Sequence, residues 1–172
     1  MLPQTIDEKT YRSASAEETQ GLGEVLGHLL RAGDVLVLTG DLGAGKTQLT
    51  KGVARGMGIE DDVTSPTFTI EMVYEGKELP LYHFDLYRLD DADELEDTGL
   101  FDVLGGDGPC LIEWGEQFES ELGDERLDVT IERLDDEVAE GVEPPRRITF
   151  APHGTRAEEL VSELQDACAR KE

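Results

Sequence analysis

Asparagine is missing from the 172 residues altogether, and lysine nearly so, with only Lys9, Lys46, Lys51, Lys77 and Lys171 present. Basic residues of both kinds number 15 against 40 acidic ones, for a formal net charge of -25. Such a surface repels phosphate backbones, which excludes tight direct binding of nucleic acid without help from a partner. Cysteine is equally sparse. Cys110 sits in an apolar run and Cys168 in an expected helix, with no C-x-x-C and no Cys/His cluster. This excludes a disulfide framework and a structural zinc site, and leaves two small buried hydrophobes. No apolar run is long enough to cross a membrane. The opening MLPQTIDEKTYRS lacks the charged-then-apolar layout of a signal peptide. The expectation is a cytoplasmic chain. Its acids are spread along the sequence, with denser patches at 90–97 and 132–143. They do not form one terminal block, which favours a surface suited to high salt, where screening relieves self-repulsion.

What is present is enough for one domain. Hydrophobic residues make up 38% of the chain, sufficient to bury a core rather than remain disordered. No internal repeat or low-complexity linker divides it. TYRSAS reads as a short edge strand. Ser15 and Glu18 fit a capping box, and Leu22, Val25, Leu26, Leu29 and Leu30 follow at helical spacing, so the pattern predicts a helix over 16–31. VLVLT, 35–39, is an unbroken apolar run suited to a strand covered on both faces. A second helix is expected over 46–57. Next come two strand arms, 68–74 and 79–85, around a turn at 75–77, and then a short acidic helix around 93–104. CLIEW is a second buried run, and RLDVTIER and RRITFA alternate as an antiparallel pair. Thr155 and Glu158 form another capping box, opening a terminal helix with Leu160, Val161, Leu164 and Cys168 inward. These elements predict an α/β domain with a mixed sheet.

The stretch GDLGAGKT, Gly40 to Thr47, satisfies G-x-x-x-x-G-K-[ST], the phosphate-binding P-loop. Gly40, Gly43 and Gly45 keep side chains out of the way, so that the amides running through Asp41, Leu42 and Ala44 can converge as an anion nest. The helix that follows adds its positive end. Lys46 can reach β- and γ-phosphates, and Thr47 offers a hydroxyl to Mg²⁺. A buried strand before the motif and a helix after it supply the context it needs. In a chain this acidic, an anion site built mainly of backbone is economical, because it requires a single lysine.

A magnesium nucleotide needs a second anchor, usually an acid at the end of a buried strand. Glu113 ends CLIE and Asp85 ends LYHFD. One can orient the metal and the other the attacking water; an acid at a strand edge in an acid-rich chain is the plain alternative for each. Thr67, in the TSPTF loop, can offer a hydroxyl to metal or phosphate, or simply belong to a turn. Trp114 follows Glu113 directly and is either a core residue or one packed near the nucleotide. His83 shares the strand face of Asp85 and can orient it, or serve as a core histidine. His28 and His153 read as surface or packing residues.

Taken together, GDLGAGKT, TSPTF, HFDLYRL with TGLFD after it, and LIEWGE resemble, in order and spacing, the bacterial TsaE family of small P-loop ATPases. These are required for the threonylcarbamoyladenosine modification of tRNA. The resemblance runs from about Ser15 to Glu116, and the RLDVTIER…RRITF hairpin fits the family's end. It implies a single P-loop NTPase domain over 1–172, with a mixed, mostly parallel central sheet, added antiparallel strands and helices on both faces. By the same resemblance ATP or ADP and Mg²⁺ are the ligands. Lys46 would bind phosphates, Thr47 and Glu113 would hold the metal, and Asp85 would be needed for hydrolysis. Thr67 would lie in a nucleotide-sensing loop, Trp114 close to the nucleotide and Ser15 on its adenine side. The implied partners are TsaD-like and TsaB-like subunits. ATP binding and hydrolysis would regulate or reset their threonylcarbamoyl transfer, and tRNA would be met only through them. Turnover by the isolated chain is expected to be slow.

Three other readings use the same P-loop. A small-molecule kinase would want clustered arginines around the transferred group, whereas Arg55, Arg88 and Arg126 are scattered. A GTPase commonly reads guanine with an N-K-x-D loop, which a chain without asparagine cannot build. A nucleotide-gated adaptor would bind ATP while needing no turnover.

Overall fold

A computed structural model describes residues 1–40, 45–60, 63, 71–87, 89–137 and 143–171. Eight strands join one sheet in the order β1-β2-β8-β7-β3-β6-β5-β4. At its centre β7 (Arg126–Arg133), β3 (Val35–Thr39), β6 (Cys110–Glu113) and β5 (Pro80–Asp85) run parallel. Antiparallel strands extend both sides. β4 (Glu71–Glu75) pairs with β5, while β8 (Arg146–His153), β2 (Thr10–Ser13) and β1 (Gln4–Asp7) extend outward from β7. The sheet is therefore mixed with a parallel centre, as the sequence pattern predicts.

The apolar runs explain the parallel centre. Leu36 and Leu38 of β3 face one core cluster, and Val35 and Val37 face the other. β6 divides likewise, with Leu111 on one side and Cys110 and Ile112 on the other. A strand buried on both faces has no position for a polar side chain except at its ends. Fully burying each leucine contributes about 1.5–3 kcal/mol. The first core is roofed by α1 (Ala16–Leu29), α2 (Lys46–Gly56) and α5 (Thr155–Lys171). The second lies beneath short pieces: a 3-10 stretch at Ala92–Thr98, α3 (Leu100–Val103), and α4 (Glu119–Leu122).

Several local expectations shift. TYRSAS is not an edge: β2 lies between β1 and β8, and Tyr11 is buried edge-on against Phe150 at 5.7 Å. The true edge, QTID, is fully exposed, and its polarity hides it in the sequence. The acidic helix expected over 93–104 divides in two. Gly99, at φ 84°, breaks it, and four acids within the preceding turns disfavour a longer helix by mutual repulsion. Ser15 caps α1 as expected, its Oγ accepting from the Glu18 amide at 3.1 Å. At α5 the box is displaced: the Glu158 backbone amide donates to the Gly154 carbonyl at 3.1 Å, so Gly154 takes the capping position assigned to Thr155. Strand β4 begins at Glu71, and 68–70 lie outside the described residues. Neither cysteine is in a disulfide, and both are buried.

A close backbone approach joins α1 to α2. Gly23 and Gly27 of α1 face Gly52 and Gly56 of α2, each pair one helical turn apart. A Cβ added at Gly52 would lie 2.9 Å from the Gln20 Cα, and one at Gly23 would lie 2.9 Å from the Val53 amide nitrogen. Cβ atoms at Gly27 and Gly56 would each meet the opposing glycine's Cα at 3.0 Å. The two backbones touch, and this contact sets the spacing of α2 against α1.

Candidate functional site

The parallel strands end on a common edge, and the residues that end them form a row. Leu38 of β3 pairs with Glu113 of β6, which pairs with Asp85 of β5. Glu113 and Asp85 share the sheet face that carries Leu111 and Leu81, the face covered by α2. Both acids are buried, at 3% and 4% exposure. Lys46 opens α2 above them and is itself only 6% exposed. Gly45, immediately before it, caps the helix at φ 113°, a left-handed conformation that suits glycine. The side chains and helix end thus converge on a cavity of about 530 Å³ at the carboxyl ends of the strands, the usual place for a ligand in an open α/β sheet.

The cavity is lined by Gly45, Lys46, Thr47, Asp85, Glu113 and Trp114, with Ser15 at its far side. The structure therefore brings seven sequence-chosen residues together. Gly40 leaves β3 half-buried, just ahead of the loop. Asp41, Leu42, Gly43, Ala44 and Thr67 lie outside the described residues. The cavity also includes residues that the sequence reading passed over: Tyr87, Gln48, Glu143, Pro144 and Arg146. Tyr87 follows Asp85 by two positions, which a turn after the strand end could have suggested. Arg146 read only as a strand residue, because nothing in RRITF marks its neighbour across the sheet.

Each acid is held. The amide of Tyr87 donates to Asp85 Oδ1 at 3.0 Å, closing a tight turn that points the carboxylate back into the cavity. His83 does not orient Asp85. Its Nε2 lies 2.6 Å from Glu113 Oε2, both side chains being buried. An ionised Glu113 only accepts, so the imidazole proton belongs on Nε2 in this pair. The buried Nδ1 has no hydrogen-bond partner among the described residues.

Trp114 connects the two walls. It is the non-glycine residue with positive φ among the described residues, at 60°. That turn swings its ring across the cavity, where the Lys46 Nζ sits 3.8 Å from the ring centroid. Tyr87 packs against the same ring at 4.9 Å. The lysine ammonium is thus held on an aromatic face beside two carboxylates, at the amino end of a helix.

Two of the three arginines in the kinase reading are committed elsewhere. Arg55 bonds Gln20 and pairs with Glu24 on the outer face of α1. Arg126 forks onto Asp128 at the opposite end of β7. Arg88 lies outside the described residues.

The family model described as "Threonylcarbamoyl adenosine biosynthesis protein TsaE" matches residues 13–141. The chain belongs to the TsaE family. Among its TsaE relatives is the tRNA threonylcarbamoyladenosine biosynthesis protein TsaE of Bacillus subtilis, 46% identical over 90% of this chain and 92% of that protein. The protein of the same name from Treponema pallidum is 46% identical over 72% of this chain and 91% of its own length. Among solved structures, the crystal structure of Bacillus subtilis YdiB aligns with a TM-score of 0.75 and 40% identity, covering 91% of this chain and 93% of that one. The TsaE match takes in β3, α2, β5 and β6, and with them the row of Lys46, Asp85 and Glu113. It stops short of β8. Among the described residues no helix is long and apolar enough to cross a membrane.

Proposed function

We propose that this chain is a magnesium-dependent ATPase of tRNA threonylcarbamoyladenosine biosynthesis, whose ATP binding and hydrolysis regulate or reset a TsaD-like and TsaB-like transferase pair in the cytoplasm. The observation that carries the reading is the convergence of Lys46, Thr47, Asp85, Glu113 and Trp114 on one cavity at the head of α2. In this reading the α2 amino end and the Lys46 ammonium receive the phosphates. The Thr47 hydroxyl and the Glu113 carboxylate are hard oxygen donors and suit Mg²⁺, which commonly takes one or two protein ligands and completes its shell with phosphate and water. Among the described residues no cluster of three or more His, Cys, Asp or Glu would favour a protein-only cage. Bound there, the metal would offset charge on the phosphates. His83 holds Glu113 at a fixed angle for that role. Asp85, locked by the Tyr87 amide, orients the attacking water. The acidic surface leaves tRNA to the partners.

Trp114 is the sole tryptophan and touches Lys46, so its fluorescence should report nucleotide entry. Titration with ATP and Mg²⁺ should change that signal saturably, and Lys46→Ala should abolish the change. Hydrolysis should be slow alone and rise with the partner pair. Asp85→Asn should retain ATP binding while losing both hydrolysis and tRNA modification. Modification that persists in that variant would point to a nucleotide-gated adaptor. Phosphate transfer to a metabolite in a substrate screen would point to a kinase.

A further inference from the structure

The cavity has two cationic walls. Among the described residues that line it, Lys46 and Arg146 are the basic ones, and they stand on opposite sides. Lys46 lies against Trp114, over β6. Arg146 begins β8, where it pairs with Arg133 at the end of β7 and with Ser13 at the end of β2. It reaches back across β7 toward the phosphate loop: a Cβ built on Gly45 would meet Arg146 Nε at 3.7 Å and Ile131 Cγ2 at 3.9 Å. The guanidinium therefore lies over the α-carbon of the last residue of the cradle. Its Nη1 donates to the Pro144 carbonyl, which fixes the fork at the mouth. The next residue, Arg147, pairs instead with Glu132 at 3.1 Å.

The sheet order sets the direction of a bound nucleotide. Asp85 and Glu113 end β5 and β6, to one side of β3, whereas Ser15 and Arg146 follow β2 and begin β8, to the other. With Glu113 serving the metal and Asp85 the attacking water, as proposed above, the γ end would lie over β6 and β5. The nucleoside end then falls over β7 and β8. We propose that Arg146 is the guanidinium contact for the nucleoside-side phosphates, shared by ATP and ADP, and makes no contact with the γ-phosphate. This rests on the reading of the cavity as an ATP site and adds the recognition of its product. A planar fork suits phosphate oxygens as an ammonium does not. In a chain with 40 acids, a second cation is what would hold ADP after the γ-phosphate has left.

The test is calorimetric titration of the full chain with ATP and with ADP, in Mg²⁺ and fixed salt, for wild type, Arg146→Gln and Arg146→Lys. Arg146→Gln should weaken both nucleotides by the same factor, about tenfold or more, the value of a lost charge-assisted bond. Arg146→Lys should recover only part. Arg146 is half-buried at a strand start, and should its glutamine variant melt early, the lysine variant carries the comparison. Unchanged ADP affinity in both variants would overturn the proposal, and so would a loss confined to ATP, which would mark a γ contact. If wild type takes up neither nucleotide, the ATP reading falls with it; if wild type binds and the variants bind equally, Arg146 alone is refuted.

Discussion

Replacing Gly52 with alanine sets two effects of opposite sign against each other. Gly52 lies inside α2, and alanine there improves helix propensity by about 1 kcal/mol. Against this stands the seam with α1, where the new methyl would lie 2.8 Å from the Gln20 carbonyl carbon and 2.9 Å from its Cα. Both obstacles are backbone, so no rotamer change relieves them. Restoring ordinary contact requires the helices to part by more than half an ångström. They are anchored to one sheet through Leu22, Leu26, Leu49 and Val53, all essentially inaccessible to solvent. Overpacking of this kind costs about 1–3 kcal/mol, and backbone obstacles place it at the upper end. Gly52→Ala should then destabilise by about 2 kcal/mol net, lowering the melting temperature by roughly 4–8 °C for a domain of this size. Gly27→Ala should behave alike. Thermal and urea unfolding at fixed salt measure both. A variant as stable as wild type, or more so, would show that propensity governs and that the helices are not in backbone contact.

Arg156 clamps α5 onto the lower end of the sheet, donating to both oxygens of Asp34 at 2.9 and 3.0 Å and to the Leu29 carbonyl at 2.9 Å. Asp34 is buried, and Arg156→Ala removes its charge-assisted bonds, so a loss of about 2 kcal/mol is expected in denaturant titration, less for Arg156→Lys. Burial pushes the Cys110 thiol up from 9.0 to about 12. An acid raised in the folded state contributes stability that is complete below pH 9 and is lost as pH climbs toward 12. Cys110→Ala should therefore flatten the fall in stability over that window, and wild type should resist thiol reagents at pH 8 until unfolded. His83→Gln loosens Glu113. The Mg²⁺ concentration needed for half of the Trp114 signal should rise about tenfold or more, as for other residues that support a metal ligand. With a net charge of -25, molar salt should raise the melting temperature relative to low salt; equal values would remove the argument for a surface adapted to salt.

The parallel centre of the sheet was legible because VLVLT and CLIE carry no polar residue until their ends, where a chain buried on both faces must place its acids. Asp85 and Glu113 could be chosen for that reason, although spacing alone left their roles interchangeable and did not show that they lie side by side with His83 on Glu113. The outer strand QTID was not legible, since a solvated edge has no hydrophobic pattern. The glycines of GLGEVLG and KGVARG read locally as weak helix positions. Their purpose exists only once two helices meet. Arg146 escaped for a similar reason: it belongs to the cavity through neighbours 13 strand-paired positions and more away in sequence, Arg133 and Gly45. Local spacing carries the phosphate loop, whereas contacts across the sheet carry what faces it.

The left-handed turn at Trp114 lays an indole face against the Lys46 ammonium. An ammonium resting on an indole face is stabilised by about 0.5–2 kcal/mol, and whatever anion claims Lys46 must first lift it from that ring. Affinity there is a difference between two hosts, up to roughly thirtyfold below what the bare charge would give. On the proposed reading, small singly charged anions, abundant in any brine, would gain too little to win that exchange, whereas a polyphosphate that also engages the helix end would. On the ATP reading proposed above, the aromatic ring would act as a threshold that reserves Lys46 for a polyphosphate.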